Sequence, residues 1–303
     1  MMKKLNIFVS LSTNTNDFQV ELAESARATA ERLGVAIQIS YAQNDPIAQS
    51  QELLKVIQSP TSHPDAILFH PFGSTALPQV ARAAVAAGIG VAVLNWRADY
   101  VAELRGKGVP VFICSSNHRE IGRLQAQQST VLLPEGGTVL YIQGPSASHG
   151  AQERAIGMNE YKPLNIQTKI IKSAAWTEEG GHRAVASWLR LSTAQTEPIQ
   201  LVVAQNDLMA IGARKAFGEI PNEVDRDRWL NLPFTGVDGL PKTGQAWVRQ
   251  GLLAATIVVP PNAGLALEAM VKALRGGPQP PECVLTEPKS YPAIEQLKAR
   301  RAS

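Results

Sequence analysis

Cysteine is nearly missing from this chain, long apolar runs are absent, and no single sign of charge dominates. The two cysteines among 303 residues, Cys114 and Cys283, are too few and too far apart for a disulfide framework or a closely spaced zinc motif. Both lie in apolar, strand-like runs, FICS and ECVL, and read as buried thiols. Spacing leaves their pairing open, since only geometry decides a bridge. Nowhere are there the roughly 18 consecutive apolar residues that a spanning helix needs. The net charge is only +3, and basic residues are scattered apart from Lys298, Arg300 and Arg301. No electrostatic footprint for nucleic acid therefore exists, and the basic tail reads as a solvated helix end. Catalytic signatures are missing as well: no phosphate loop, no strand-linked G-x-G-x-x-G, no G-x-S-x-G elbow and no H-E-x-x-H helix. The five histidines are dispersed, and no carboxylate pair stands out as acid and base. Of these histidines, His70 ends a strand and reads as a surface or hydrogen-bonded side chain rather than one facing a crevice.

What the chain does contain is an ordinary globular composition, 45% hydrophobic and 18% charged, in a length that predicts two lobes of roughly 100 to 200 residues each. Met1–Ser12 carries two lysines and a short apolar run. Asn6 interrupts that run and no small-residue cleavage site follows, so the segment reads as the first strand rather than a targeting signal. Short β-rich runs then alternate with helical patterns. Leu5–Ser10, Val35–Ser40, Ala66–His70, Val91–Asn95 and Val111–Cys114 read as strands, and Asp17–Leu33, Pro46–Gln58 and Leu77–Ala87 as helices. Gly34 and Gly88 stand just after helices, where a left-handed cap suits glycine. A second set follows from about Asn117, with strands at Thr138–Ile142, Ile166–Ser173, Ile199–Ala204, Phe234–Val237 and Ala255–Val259. After Pro260 and Pro261, a helix over Ala263–Leu274 and a strand over Cys283–Leu285 remain. The class is α/β, two doubly wound parallel-sheet units in succession.

The informative segment is LVVAQNDLMAIGA, Leu201–Ala213, where an apolar strand stops at Gln205, Asn206 and Asp207 and a helix pattern starts. Open α/β sheets build ligand sites at such strand ends. The same arrangement recurs at VAVLN before Trp96, at TVLYIQG before Arg154 and at FTGVDG with Asp238. Asp207 and Asp238 accept hydrogen bonds, Arg154 donates in a planar fork, and Asn95 and Asn206 do both, a set suited to a neutral polyhydroxylated ligand. Phe18, Trp96 and Trp176 stand at or beyond strand ends, where a ring can cover the C–H face of a sugar. Phe18 is read equally as core and as site, its loop made polar by Asn14, Asn16 and Asp17. Asp207 is equally a helix N-cap, which makes Asn206 the stronger ligand candidate. Trp188 and Trp247 fall within helical patterns and read as core, and Trp229 falls in a polar loop.

These residues resemble the type I periplasmic sugar-binding proteins, whose fold is shared with the effector domains of lactose-repressor-like regulators. The resemblance runs from Asn6 to about Glu287 through PDAILFHP, GIGVAVLNW, SSNHREIGRLQAQQ, GGTVLYIQGP, ERAIG, VVAQNDLMAIGA, TGVDGLPKTGQ and LAATIV. It implies two lobes joined by a three-segment hinge, residues 1–115 with 260–286 and residues 116–259 with 287–303. It further implies ligand bound in the cleft between the lobes, with hinge closure. The family's ligand positions fall on Asn14, Asn16, Phe18, Asn95, Arg154, Trp176, Asn206 and Asp238. Two departures accompany them: Trp96 stands where many members carry Arg, and Val259 where they often carry Gln. Both exchange polar for apolar groups, which points to a less polar sugar, a polyol or another small solute.

The resemblance implies non-enzymatic binding of a sugar-like or polyol solute for delivery to the membrane subunits of an ABC importer, by a monomer without cofactor or metal. A ligand sensor acting on a signalling or transcriptional partner is the alternative, and a sugar-modifying enzyme the weakest reading. No helix-turn-helix precedes the first strand, which counts against a repressor. Localisation follows the start of the chain: periplasmic if a signal peptide was trimmed, cytoplasmic if Met1 is native.

Overall fold

A computed structural model describes residues 4–60, 63–72, 76–173, 175–194 and 197–302. Met1–Lys3, part of the segment read as strand rather than signal, lie outside the described residues. The chain divides into unit 1, Met1–Ser116 with Pro261–Thr286, and unit 2, Asn117–Pro260 with Glu287–Ser303.

In chain order, unit 1 opens with β1 (Asn6–Leu11), α1 (Asp17–Leu33), β2 (Ala36–Tyr41), α2 (Pro46–Ile57), β3 (Ala66–Phe69), α3 (Pro78–Ala86), β4 (Gly90–Leu94), α4 (Tyr100–Leu104) and β5 (Val111–Ser116). Unit 2 follows with α5 (His118–Leu132), β6 (Gly137–Gln143), α6 (His149–Tyr161), β7 (Ile166–Lys172), α7 (Glu178–Leu189), β8 (Ile199–Ala204), α8 (Asp207–Gly218), α9 (Glu223–Leu230), β9 (Phe234–Thr235), α10 (Gly244–Arg249) and β10 (Thr256–Val258). The chain returns to unit 1 for α11 (Ala263–Leu274) and β11 (Cys283–Thr286), then ends in unit 2 with β12 (Lys289–Tyr291) and α12 (Ile294–Ala302). No helix among the described residues is long and apolar enough to cross a membrane.

Unit 1 is a six-stranded sheet in the order β11-β5-β4-β3-β1-β2, and every pairing in it is parallel. Because successive side chains on a strand point to opposite faces, each strand feeds two cores. Ile7, Val9 and Leu11 of β1, Ala66 and Leu68 of β3 and Ala92 and Leu94 of β4 pack with α1 and α11. Phe8, Ile67, Phe69, Val91 and Val93 pack on the other face with α2, α3 and α4. The near-continuous apolar strands of the sequence are those of a parallel sheet covered on both sides. Gly34 closes α1 with φ +65°, its N–H bonded to Ala30 and Glu31 carbonyls.

Unit 2 holds a four-stranded parallel sheet, β7-β6-β8-β9, and a separate antiparallel pair, β10 with β12. One face, with Leu140, Ile142, Val202 and Ala204, is covered by α7 and α8. The other, with Val139, Tyr141, Leu201 and Val203, packs against α5 and α6. Leu297 of α12 meets Val131 of α5 and Ala255.

Three sequence readings need correction. Trp229 is not in a polar loop: it lies in the last turn of a short, strongly charged helix, α9, capped by Asn222, and is 3% exposed. Its ring stacks on Phe217 at 4.8 Å and 8° and meets Trp188 edge-on at 5.5 Å. Cys283 is exposed, because β11 is an edge strand, whereas Cys114 is buried as expected; both are free thiols. The α8 N-cap is Asn206, and Asp207 is the first helical residue.

Candidate functional site

In both units the candidate residues, Val259 after the antiparallel β10 apart, lie beyond the carboxyl ends of parallel strands. In unit 1, Asn16 caps α1, its Oδ1 accepting the Gln19 N–H at 3.3 Å, with exposed Asn14 before it and half-buried Phe18 after it, packed against the α1 and α11 core. Asn95 follows β4 in a left-handed conformation, φ +54°, which asparagine tolerates better than most residues. Its Oδ1 accepts the Ser116 N–H at 2.9 Å and the Asn262 Nδ2–H at 2.6 Å. Trp96, next in the chain, leans on the opposite core, that of α2, α3 and α4.

Unit 1 carries a further polar group that was not singled out as a site. His70, at the end of β3, has its Nδ1 2.7 Å from Ser12 Oγ, and Gln49 Nε2 donates to the His70 carbonyl at 2.9 Å and to Ser10 Oγ at 3.2 Å. It is hydrogen-bonded, as the sequence reading had it, and burial pulls its imidazole pKa down to about 4. It is therefore neutral at neutral pH.

Unit 2 ties its five candidates into one cluster. Arg154, on α6 and 7% exposed, donates through Nη1 to the Gln205 carbonyl and through Nε to His118 Nδ1 at 3.4 Å, and its guanidinium lies over the Trp176 ring. Asn206 Nδ2 donates to the Trp176 carbonyl at 3.2 Å while its Oδ1 accepts the Met209 N–H at 2.8 Å. A single amide thus caps α8 and anchors the segment bearing the aromatic ring. Asp238 is held in the β10 register, its carbonyl accepting the Val259 N–H at 3.1 Å, and the Val259 side chain is buried. Burial lowers the Arg154 pKa, opposed chiefly by nearby Asp238. The guanidinium nonetheless stays charged.

Beneath the cluster runs a buried amide network that sequence reasoning did not assign. Gln205, fully buried, accepts the Gly144 N–H at 2.9 Å and donates to Tyr141 Oη at 2.8 Å and the Ala151 carbonyl at 2.9 Å. Tyr141 in turn donates to Gln125 Oε1 at 3.0 Å, and Gln125 Nε2 to the Ala204 carbonyl at 3.1 Å. The ends of β6 and β8 and the start of α6 are thereby pinned around the carbonyl that Arg154 grips. The signal in the sequence was Gln205 closing an otherwise apolar strand, because a buried amide needs partners of this kind. Among the described residues no group of His, Cys, Asp and Glu could hold a metal ion.

This arrangement offers a planar cation, an indole face, an amide and a carboxylate within unit 2. Comparison with known proteins agrees in kind. The family model of the periplasmic binding protein domain matches residues 7–278. The ribose import binding protein RbsB of Bacillus subtilis is 28% identical over 277 residues, covering 90% of this chain and 83% of the relative. The galactofuranose-binding protein YtfQ of Escherichia coli is 25% identical over 286 residues, covering 91% and 85%. Among solved structures, an ABC transporter periplasmic solute-binding protein from Actinobacillus succinogenes, with bound D-allose, superposes with a TM-score of 0.81 at 22% identity, over 98% of this chain and 100% of that one. At that identity the superposition speaks for the fold. Two parallel-sheet units, the strand-end residues and a family match over most of the length lead to one assignment: the chain belongs to the periplasmic binding protein domain family.

Proposed function

We propose that the chain binds a small sugar or polyol, without chemical conversion, through side chains at the carboxyl ends of its parallel strands, and delivers it to the membrane subunits of an ABC importer. The observation that carries this reading is the unit 2 cluster. Arg154 supplies a planar donor fork, Trp176 a ring for the C–H face of a sugar, Asn206 an amide and Asp238 an acceptor for hydroxyls. Asn14, Asn16, Phe18, Asn95 and Trp96 are the corresponding groups of unit 1, and Val259 adds an apolar wall. The relatives named for ribose and galactofuranose support a sugar ligand, and the name of their family supports work in the periplasm; that the chain works as a monomer is part of the same reading.

The domain reading belongs to the same proposal. The passages of the chain after Ser116, after Pro260 and after Thr286 act as the hinge, so ligand binding shifts the population toward a closed form. A thermal-shift series with D-ribose, D-allose, D-galactose, L-arabinose, myo-inositol and glycerol tests the binding reading. The expected result is a rise of several degrees with at least one sugar or polyol at about 100 times its Kd, where mass action contributes about 2.7 kcal/mol. No shift with any of them, or turnover of a bound sugar, would reject it.

A further inference from the structure

Asp207 takes no part in the binding proposal, yet it is 2% exposed and each of its polar groups is engaged. Its backbone N–H donates to the Val237 carbonyl at 2.7 Å, its Oδ2 accepts the Gly239 N–H at 2.8 Å, and its Oδ1 accepts the Thr256 hydroxyl at 2.6 Å. Residues 237 and 239 are therefore both fastened to Asp207. The residue between them is Asp238, whose φ of +106° is unfavourable for a side chain with a Cβ, and Gly239 follows with φ +60°. Such backbone persists only where its surroundings over-determine it, and it concentrates at functional positions. From the other side, the Asp238 N–H donates to the Ile257 carbonyl at 3.0 Å and its carbonyl accepts from Val259. The segment also closes around the carboxylate: a methyl group on Gly236 or on Gly244 would collide with it.

We propose that Asp207 is a positioning residue whose carboxylate clamps the Val237–Gly239 turn and so presents Asp238 in one fixed backbone conformation, without itself touching ligand. The role of Asp238 rests on the binding reading above, whereas the clamp is testable without any ligand. The Asp207→Asn side chain keeps an acceptor for Gly239, and the Thr256 hydroxyl can reverse to accept from the new Nδ2. Asp207→Ala loses both bonds, and Gly244→Ala forces the carboxylate out while its methyl also comes within 3.1 Å of Gly239 Cα, so that Asp207→Ala is the primary comparison.

The measurement is amide hydrogen exchange by NMR on the ligand-free protein. Exchange of the Gly239 amide is expected to rise about tenfold or more in Asp207→Ala and Gly244→Ala and to stay within about threefold of the parent in Asp207→Asn, with Ala213 in α8 unchanged as the control for global opening. Equal Gly239 exchange in parent, Asp207→Ala and Gly244→Ala would overturn the clamp, and so would Asn and Ala variants that behave alike. If Asp207→Ala does not fold, Asp207→Asn against Gly244→Ala decides by the same criterion. In a second arm, D-ribose affinity should fall about tenfold in Asp207→Ala and recover in Asp207→Asn. A parent chain that ignores D-ribose would count against that ligand alone, because the exchange arm still decides the clamp.

Discussion

The guanidinium of Arg154 lies 5.3 Å from the centroid of the Trp176 ring, a cation over an aromatic face inside a largely desolvated patch. The pair is pre-assembled: Gln205 holds the cation through its carbonyl, and Asn206 holds the backbone of the indole. Preorganisation of this kind removes part of the ordering cost that a ligand would otherwise meet.

Replacing Arg154 by lysine keeps the charge and loses the planar fork. The expected outcome is loss of ligand-induced thermal stabilisation in both Arg154→Ala and Arg154→Lys, with far-ultraviolet circular dichroism unchanged. Stabilisation equal to that of the parent in both variants would place the ligand elsewhere.

Asn206 carries two separable tasks, and Asp at the same position keeps only the cap. Asn206→Ala is expected to cost about 1 kcal/mol of stability in urea unfolding, in line with loss of an N-cap, while Asn206→Asp retains most of it. Both variants lose the bond to the Trp176 carbonyl, so both should weaken ligand binding. A stability loss as large in the Asp variant as in the Ala variant would contradict this division.

His70 should make the protein acid-sensitive. Its folded pKa of about 4 lies below the ordinary 6.5, so protonation favours the unfolded chain. Its contribution is therefore fully present above about pH 6.5, is lost as pH falls toward 4, and amounts to no more than about 3 kcal/mol. Urea midpoints measured between pH 7 and pH 4 should fall less steeply in His70→Asn, and parallel curves would refute the assignment.

Trp229 anchors α9 by stacking on Phe217. Trp229→Ala is expected to destabilise by about 3–5 kcal/mol, as for other large-to-small changes at buried aromatic positions. By contrast Val224, 78% exposed on the same helix, should tolerate serine within about 0.5 kcal/mol. Guanidinium unfolding of the two variants checks both statements.

Much of the architecture could be read from the chain because its strands are near-continuous apolar runs and its helices carry recognisable starts and stops. The helices Asp17–Leu33 and Ala263–Leu274 and the strand Ile199–Ala204 have the limits expected of them. The failures have physical causes. The α9 segment, EVDRDRWL, buries only its tryptophan, so hydrophobic periodicity could not reveal it. Cys283 lies in an apolar run like Cys114, and which strand stands at a sheet edge is a fact of topology, invisible to local pattern. The exchange of cap roles between Asn206 and Asp207 is a one-residue shift between two good capping types, below what propensity resolves. At the candidate site, the exposed-looking polar triplet at Gln205–Asp207 was legible as a strand end. That all three of its side chains are buried and bonded to neighbours required the hydrogen bonds.

The way β1, β3 and β4 deal alternate side chains to opposite faces limits how this chain can change in length. One residue inserted between Ile67 and Leu68 of β3 would turn Phe69 toward the α1 and α11 side and Leu68 toward the other, forcing a ring into one layer and removing it from its counterpart. Insertions and deletions in relatives of this protein should accordingly gather in the connecting loops and leave strand lengths untouched.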